Sequence, residues 1–187
     1  MNKLSQFFYR CSNFYLAISI TLVWQFFLYF VFIDKALEFQ VPNANVQSLG
    51  TAFGFDETKI SDFLTSRSEE KIKYYIELLQ IWDMIFALIY GIIFMVWLSF
   101  LLKHHQSGLG RLNLFPLNQV FFDFMENIEL SVICNQYLLD GTFSSGSAQR
   151  ASIYCMIKWT CYAFTIGLIV IGLILFIFRI AGKKALG

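Results

Sequence analysis

Glu126 and Asn127 stand three and four residues after Asp123 in the run FFDFMENIEL, a spacing that puts all three on one face of an α-helix. Carboxylates gathered this way can bind a cation, relay protons, act as a general acid or lock a helix to a partner through an ion pair. Two other apolar stretches offer partners for them. Asp83 sits in one, with Gln80 and Tyr90 on its side, and Lys158 in another, with Tyr154 and Tyr162 on its side. Gln119 shares the arc of Asp123, whereas Glu129 points well away from it and belongs to a different contact or to the lipid boundary. A cluster with more acids than bases keeps one or more of its protons near neutrality, because desolvation and mutual repulsion both oppose the charged form.

The elements that must carry these groups are apolar. Of the 187 residues, 57% are hydrophobic and 19% aromatic while only 14% are charged, a balance far from that of soluble domains and typical of membrane proteins. Three segments without a formal charge, 14–33, 84–102 and 159–178, are long enough to cross a hydrocarbon core of about 30 Å. A fourth, 112–140, has the length of a span but too many polar groups to face lipid on every side, so one of its faces must be sheltered. The expected fold is therefore all-α: a single integral membrane domain, a bundle of four transmembrane helices over about 14–33, 75–102, 113–139 and 152–178.

Orientation follows from the basic residues. Lys3, Arg10, Lys103, Arg111, Arg179, Lys183 and Lys184 fall on one side, which the positive-inside rule makes cytoplasmic together with both termini; Lys71 and Lys73 count against it. The first apolar run exceeds a signal core and lacks a small-x-small site after it, so it reads as an uncleaved anchor. The loop over 34–73 then lies outside. Within it Asp56 is the expected N-cap of a short amphipathic helix with Ile60, Phe63 and Leu64 on one face, lying on the bilayer or capping the bundle. Ser66 and Glu69 have capping-box spacing and predict that the second helix begins near Arg67, and DGTFSSGSAQR reads as a Gly/Ser-rich turn before the last helix.

At about 1.5 Å of rise per residue, Asp83 lies about 12 Å and Lys158 about 10 Å in from the outer side, and Glu126 lies about 20 Å from it, so Glu126 is expected to reach them only from below. Each feature has a plainer reading beside the chemical one. Lys158 could snorkel to the surface along its stem; Asp83 and Asp123 are too short for that. The whole cluster could serve only to lock helix packing, and the tyrosines could be ordinary interfacial residues.

The four cysteines form no CxxC pair, and His104 and His105 are adjacent in a short loop, so neither a metal site nor a haem or other cofactor is expected. A net charge of +1 points to no nucleic-acid partner. Walker, GxSxG and HExxH motifs are missing.

The chain resembles a group of uncharacterised four-span bacterial integral membrane proteins. The matching features are LGTAFGFDETKISDFL leading into Lys71–Tyr75, Asp83 with Tyr90, a proline at 116 followed seven residues later by DxxEN (Asp123 to Asn127), and an early lysine in the last span, Lys158. The chain departs from that pattern near Lys71, where an arginine is common, and before Tyr90, where Phe86 and Ala87 replace a proline. The resemblance implies that Asp83, Asp123, Glu126, Asn127 and Lys158 form one recurring design; it implies no activity.

The residues leave two functions open. One is a small structural or accessory subunit that packs against other membrane proteins and lipids, with the polar cluster stabilising the bundle. The alternative is a proton- or lipid-handling protein, a transporter or lipid-modifying enzyme, using the cluster in an outward-facing pocket. Either is expected in a bacterial cytoplasmic membrane or an organellar inner membrane.

Overall fold

The computed structural model describes residues 3–42, 44–46, 48–103 and 110–185, with side chains as far as Ala181, and among these residues there is helix and no strand. Helix α1 (Lys3–Cys11) is short and amphipathic: it turns Leu4 and Phe7 outward and buries Ser5 and Tyr9. Asn13 then caps α2 (Phe14–Glu38), its side-chain oxygen accepting from the Leu16 amide at 2.9 Å. After the loop comes α3 (Glu57–Thr65), followed by α4 (Glu69–Leu101), α5 (Pro116–Asp140) and α6 (Ser145–Ala185). Pro116 opens α5, where its missing N–H costs nothing, and Gly141 closes it in the left-handed conformation at φ 70°.

Three helices are long and apolar enough to cross a membrane: Phe14–Glu38, Glu69–Leu101 and Ser145–Ala181. Helix α5 packs chiefly against α6 and α4 and buries one face against them, whereas α2 leaves most of its apolar surface outward. Gly91 of α4 lets the helices approach closely, since a methyl group there would collide with Val120 of α5.

The largest apolar core lies at one end of the helices. There the chain between α2 and α4 folds back as a cap, packing Phe39, Leu49, Ile60, Phe63 and Leu64 against Tyr75, Ile133 and Cys155. Helix α3 begins at the expected cap, with Asp56 Oδ1 accepting from the Lys59 amide at 2.8 Å, and buries Ile60, Phe63 and Leu64 completely. It caps the bundle with this face. The location has a physical cause: exclusion of apolar groups from water drives packing only where water is the alternative, and between lipid-embedded helices that drive is missing. At the opposite end a small polar knot joins three elements. Ser5 Oγ and Asn113 Oδ1 lie 2.7 Å apart, and Asn113 Nδ2 donates to Ser99 Oγ at 2.9 Å.

Several expected boundaries are corrected. Helix α4 begins at Glu69, and its N-cap is Ser68 rather than Ser66; the Ser68 hydroxyl accepts from the Lys71 amide, while Ser66 closes α3 by donating to the Phe63 carbonyl at 3.0 Å. Helix α6 starts at Ser145, inside the stretch read as a turn, because the four residues 141–144, led by Gly141 at positive φ, suffice to reverse the chain. Single π-turns interrupt α2 at Leu28–Phe32 and α4 at Leu78–Trp82, and neither was anticipated. His104 and His105 lie outside the described residues.

Candidate functional site

Lys158 is buried in α6, and its ammonium stands among three oxygens. It stands 3.1 Å from Asp123 Oδ1, 2.5 Å from Glu126 Oε2 and 3.2 Å from the carbonyl oxygen of Gly50. Of these contacts the one to Gly50 is a hydrogen bond, and those to Asp123 and Glu126 are ion-pair contacts that balance the ammonium with two carboxylates. Asp123 and Glu126 can both reach it because they lie one turn apart on the inward face of α5. The other oxygen of Asp123, Oδ2, accepts from the Tyr90 hydroxyl at 2.7 Å, and Asn127 Nδ2 donates to Asp83 Oδ2 at 3.0 Å. Two carboxyl groups are thereby tied to one ammonium, and a third, that of Asp83, is held by a neutral amide. Asp83 has no cation within 4.0 Å among the described residues.

The cap closes this cluster with backbone. Residues Gly50 to Phe55 lie along one face of α6, with the Gly50 carbonyl accepting from both Lys158 and the Trp159 indole, the latter at 3.3 Å. The Cys155 thiol donates to the Ala52 carbonyl at 3.0 Å, and the Phe55 amide donates to Ser152 Oγ at the same distance. These partners recur every three or four residues of α6, so one helical stripe reads a single extended segment. Gly54 takes φ +79°, and a methyl group there would come within 2.9 Å of Met156 Cγ, so both backbone and space require glycine.

Arg67 organises the cap itself. Its guanidinium donates to the carbonyls of Phe39, Phe63 and Val46 at 2.8 to 3.0 Å and stacks on the Phe63 ring at 3.7 Å. Burial draws Arg67 below its ordinary pKa, yet a guanidinium remains charged at any pH a protein meets. Lys71 adds bonds to the carbonyls of Glu38 and Gln40, at the C-terminal end of α2 where the helix dipole favours a cation.

Beside the ion pair lies a cavity of about 380 Å³, bounded by α2, the cap loop, α4, α5 and α6. Its volume falls in the range of small-molecule sites. Along α4 it runs from Tyr75 to Phe94, about 28 Å of helix rise, so it is long and narrow. The walls are largely aromatic, including Trp24, Phe86 and Trp159; Asp83, Gln119, Asp123 and Lys158 line it at mid-length, and the exposed Thr51 borders its loop end.

The residues singled out from the sequence separate into those the fold assembles and those it does not. Asp83, Tyr90, Gln119, Asp123, Lys158 and Tyr162 line the cavity, and Glu126 and Asn127 sit directly behind it through their bonds to Lys158 and Asp83. Gln80 is corrected: the π-turn inserts one residue into the helical phase just before Asp83, and Gln80 is turned out to an exposed position. Tyr154 is also placed elsewhere, its ring against Phe122 of α5 at 6.1 Å and outside the lining of the cavity. The expected pairing by depth is revised too, since Lys158 meets Glu126 and Asp123 while Asp83 is held by Asn127. Glu129 lies apart and forms a two-pronged pair with Arg150 at 2.6 and 3.0 Å.

Gly50, Trp24, Tyr75, Cys155, Trp159 and Arg67 complete the site and its cap, and sequence reasoning did not select them for these roles. The one signal for the docking segment was the pair of glycines in LGTAFGF. Comparison of the chain with protein-family models, with curated proteins and with solved structures found no match.

Proposed function

We propose that this chain is a four-span integral membrane protein whose interior cavity binds an amphiphilic small molecule, in the manner of a lipid-handling transporter or enzyme. The observation that carries the reading is the cavity of about 380 Å³ that exposes Asp83, Asp123 and Lys158 between aromatic walls. A cluster serving only to lock helices gains nothing from a void beside it, because lost packing destabilises. Apolar walls with a few convergent polar groups are the signature of a ligand site.

The membrane assignment draws on the three apolar helices and on the two faces of α5. Leu117, Phe121, Ile128, Val132 and Leu139 form an exposed apolar stripe along its whole length, opposite the buried face of Gln119, Asp123, Glu126 and Asn127. Such a helix suits a lipid boundary on one side and a polar interior on the other. The basic residues near both ends support a cytoplasmic side for the termini and the other side for the cap, in a bacterial cytoplasmic or organellar inner membrane.

A second reading, an accessory subunit, is favoured by the pairing of the Lys158 ammonium with two carboxylates of the neighbouring helix, as in a helix lock. Purification in mild detergent, with identification of copurifying lipids and proteins, tests the two. A stoichiometric amphiphile retained by the wild type and lost from Ala36→Phe, which fills the cavity, is the expected result. A stoichiometric protein partner retained equally by both forms, with no amphiphile, would replace the cavity reading with the subunit reading.

A further inference from the structure

We propose that the ligand of this cavity carries a protonated amine, held at mid-length by Asp83 and Gln119 inside the aromatic walls. The proposal rests on the cavity reading and names the chemistry of its ligand. Its first support is the state of the charges. The Lys158 ammonium already stands within ion-pair distance of two carboxylates, Asp123 and Glu126, so its charge is more than balanced without an anionic headgroup. Asp83 lines the cavity with only the neutral Asn127 amide as its bonded partner, which leaves a carboxyl without a cation. In a low-dielectric interior that is the group a cationic ligand would neutralise.

The second support is independent of charge. Gln119 is 5% exposed and lines the cavity, and its Oε1, an atom that can only accept, has no hydrogen-bond partner in the protein. An unpartnered buried acceptor calls for a donor, and an ammonium N–H supplies one. The third support is the wall. Trp24, Phe86, Tyr90, Trp159 and Tyr162 present ring faces or edges around the polar section, and aromatic faces attract ammonium groups at exposed and desolvated sites alike. The Trp24 indole N–H and the Tyr75 hydroxyl are also buried without partners, and the indole can only donate, so the ligand carries an oxygen acceptor as well as the amine. An amine with a nearby oxygen occurs both in an ethanolamine phospholipid headgroup and in a free lipophilic amino alcohol or amino ester.

The test uses the full-length protein in nanodiscs of phosphatidylglycerol, titrated with 2-phenylethylamine, 2-phenylethanol and 3-phenylpropionate, followed by calorimetry and by the fluorescence of Trp24 and Trp159. The amine is expected to bind at least about tenfold more tightly than the alcohol, and the acid to bind more weakly than either. Asp83→Asn should remove the preference for amine over alcohol, and Gln119→Leu should weaken the amine while leaving the thermal midpoint in place. Equal binding of amine and alcohol, or an undiminished preference in a folded Asp83→Asn, overturns the inference but leaves the cavity reading standing. If none of the three probes binds and Ala36→Phe behaves as the wild type, both fall. Repeating the titration in phosphatidylethanolamine nanodiscs separates the sources: suppression of amine binding there identifies the lipid headgroup, and unchanged binding identifies a free amine, either result supporting the amine chemistry.

Discussion

Lys158 is the residue on which the interior depends, because it balances two carboxylates that would otherwise face each other one helical turn apart. Taking three charged groups out of water costs more than any one pair returns, so the arrangement persists only while all its members are present. Replacement of the ammonium by an isosteric apolar chain, Lys158→Met, should therefore cost about 3–5 kcal/mol of stability, measured by thermal or denaturant unfolding in detergent. The double variant Lys158→Met/Glu126→Gln should recover part of that loss, since the amide no longer needs a counterion. A double variant less stable than Lys158→Met would show that Glu126 is held by something other than the lysine. The same count explains why Asp123 is better supported than Asp83: one has an ammonium and a tyrosine hydroxyl, the other a neutral amide.

At the scale of elements, two features shape the site: a change of helical phase and a strap of backbone. The π-turn at Leu78–Trp82 turns Gln80 outward while Asp83, Ala87 and Tyr90 keep facing α5, so a polar residue leaves the interior without breaking the helix. The segment from Gly50 to Phe55 then closes the ion pair by lending it a carbonyl oxygen, and this segment is held in turn by the cap that Arg67 organises. Arg67→Lys keeps the charge but cannot reproduce a planar fork that serves three carbonyls and stacks on Phe63. It should cost about 2 kcal/mol and open the cap, seen as faster proteolysis between α2 and α3. Unchanged cleavage and unchanged stability would mean that the apolar contacts of Ile60, Phe63 and Leu64 hold the cap alone.

At the scale of the molecule, the proposed topology requires the ends of α5 to lie on opposite sides of a membrane. Arg111 and Asp140 flank that helix, and both are exposed. In a background with Cys11→Ser and Cys161→Ser, an impermeant maleimide applied to intact cells or organelles should label Asp140→Cys and spare Arg111→Cys until the membrane is opened. The remaining cysteines, Cys134 and Cys155, are buried. Labelling of both positions in sealed membranes would place α5 on the surface and dismantle the four-span proposal, and with it the argument for a sheltered polar interior. The cavity and the cap follow the same division: aromatic walls run down the helices, while polar loop residues close one end.

The amino-acid sequence by itself determined that this is an all-helical chain with three stretches able to cross a membrane, because length and hydropathy are local properties that need no partner. It also determined which residues share a face within a single regular helix, so Asp123, Glu126 and Asn127 point together, α3 buries Ile60, Phe63 and Leu64, and Glu129 stands apart. It did not reveal the π-turns, which set Gln80 outside, because a one-residue change of phase is imposed by neighbouring helices and leaves no periodicity of its own. Only the tertiary structure decided that Lys158 meets Glu126 rather than Asp83, that the Gly50 carbonyl completes its shell, and that a cavity remains beside it. Those outcomes depend on the separation and rotation of helices that are far apart in the chain, and on a loop whose backbone atoms are the same whatever residues it contains.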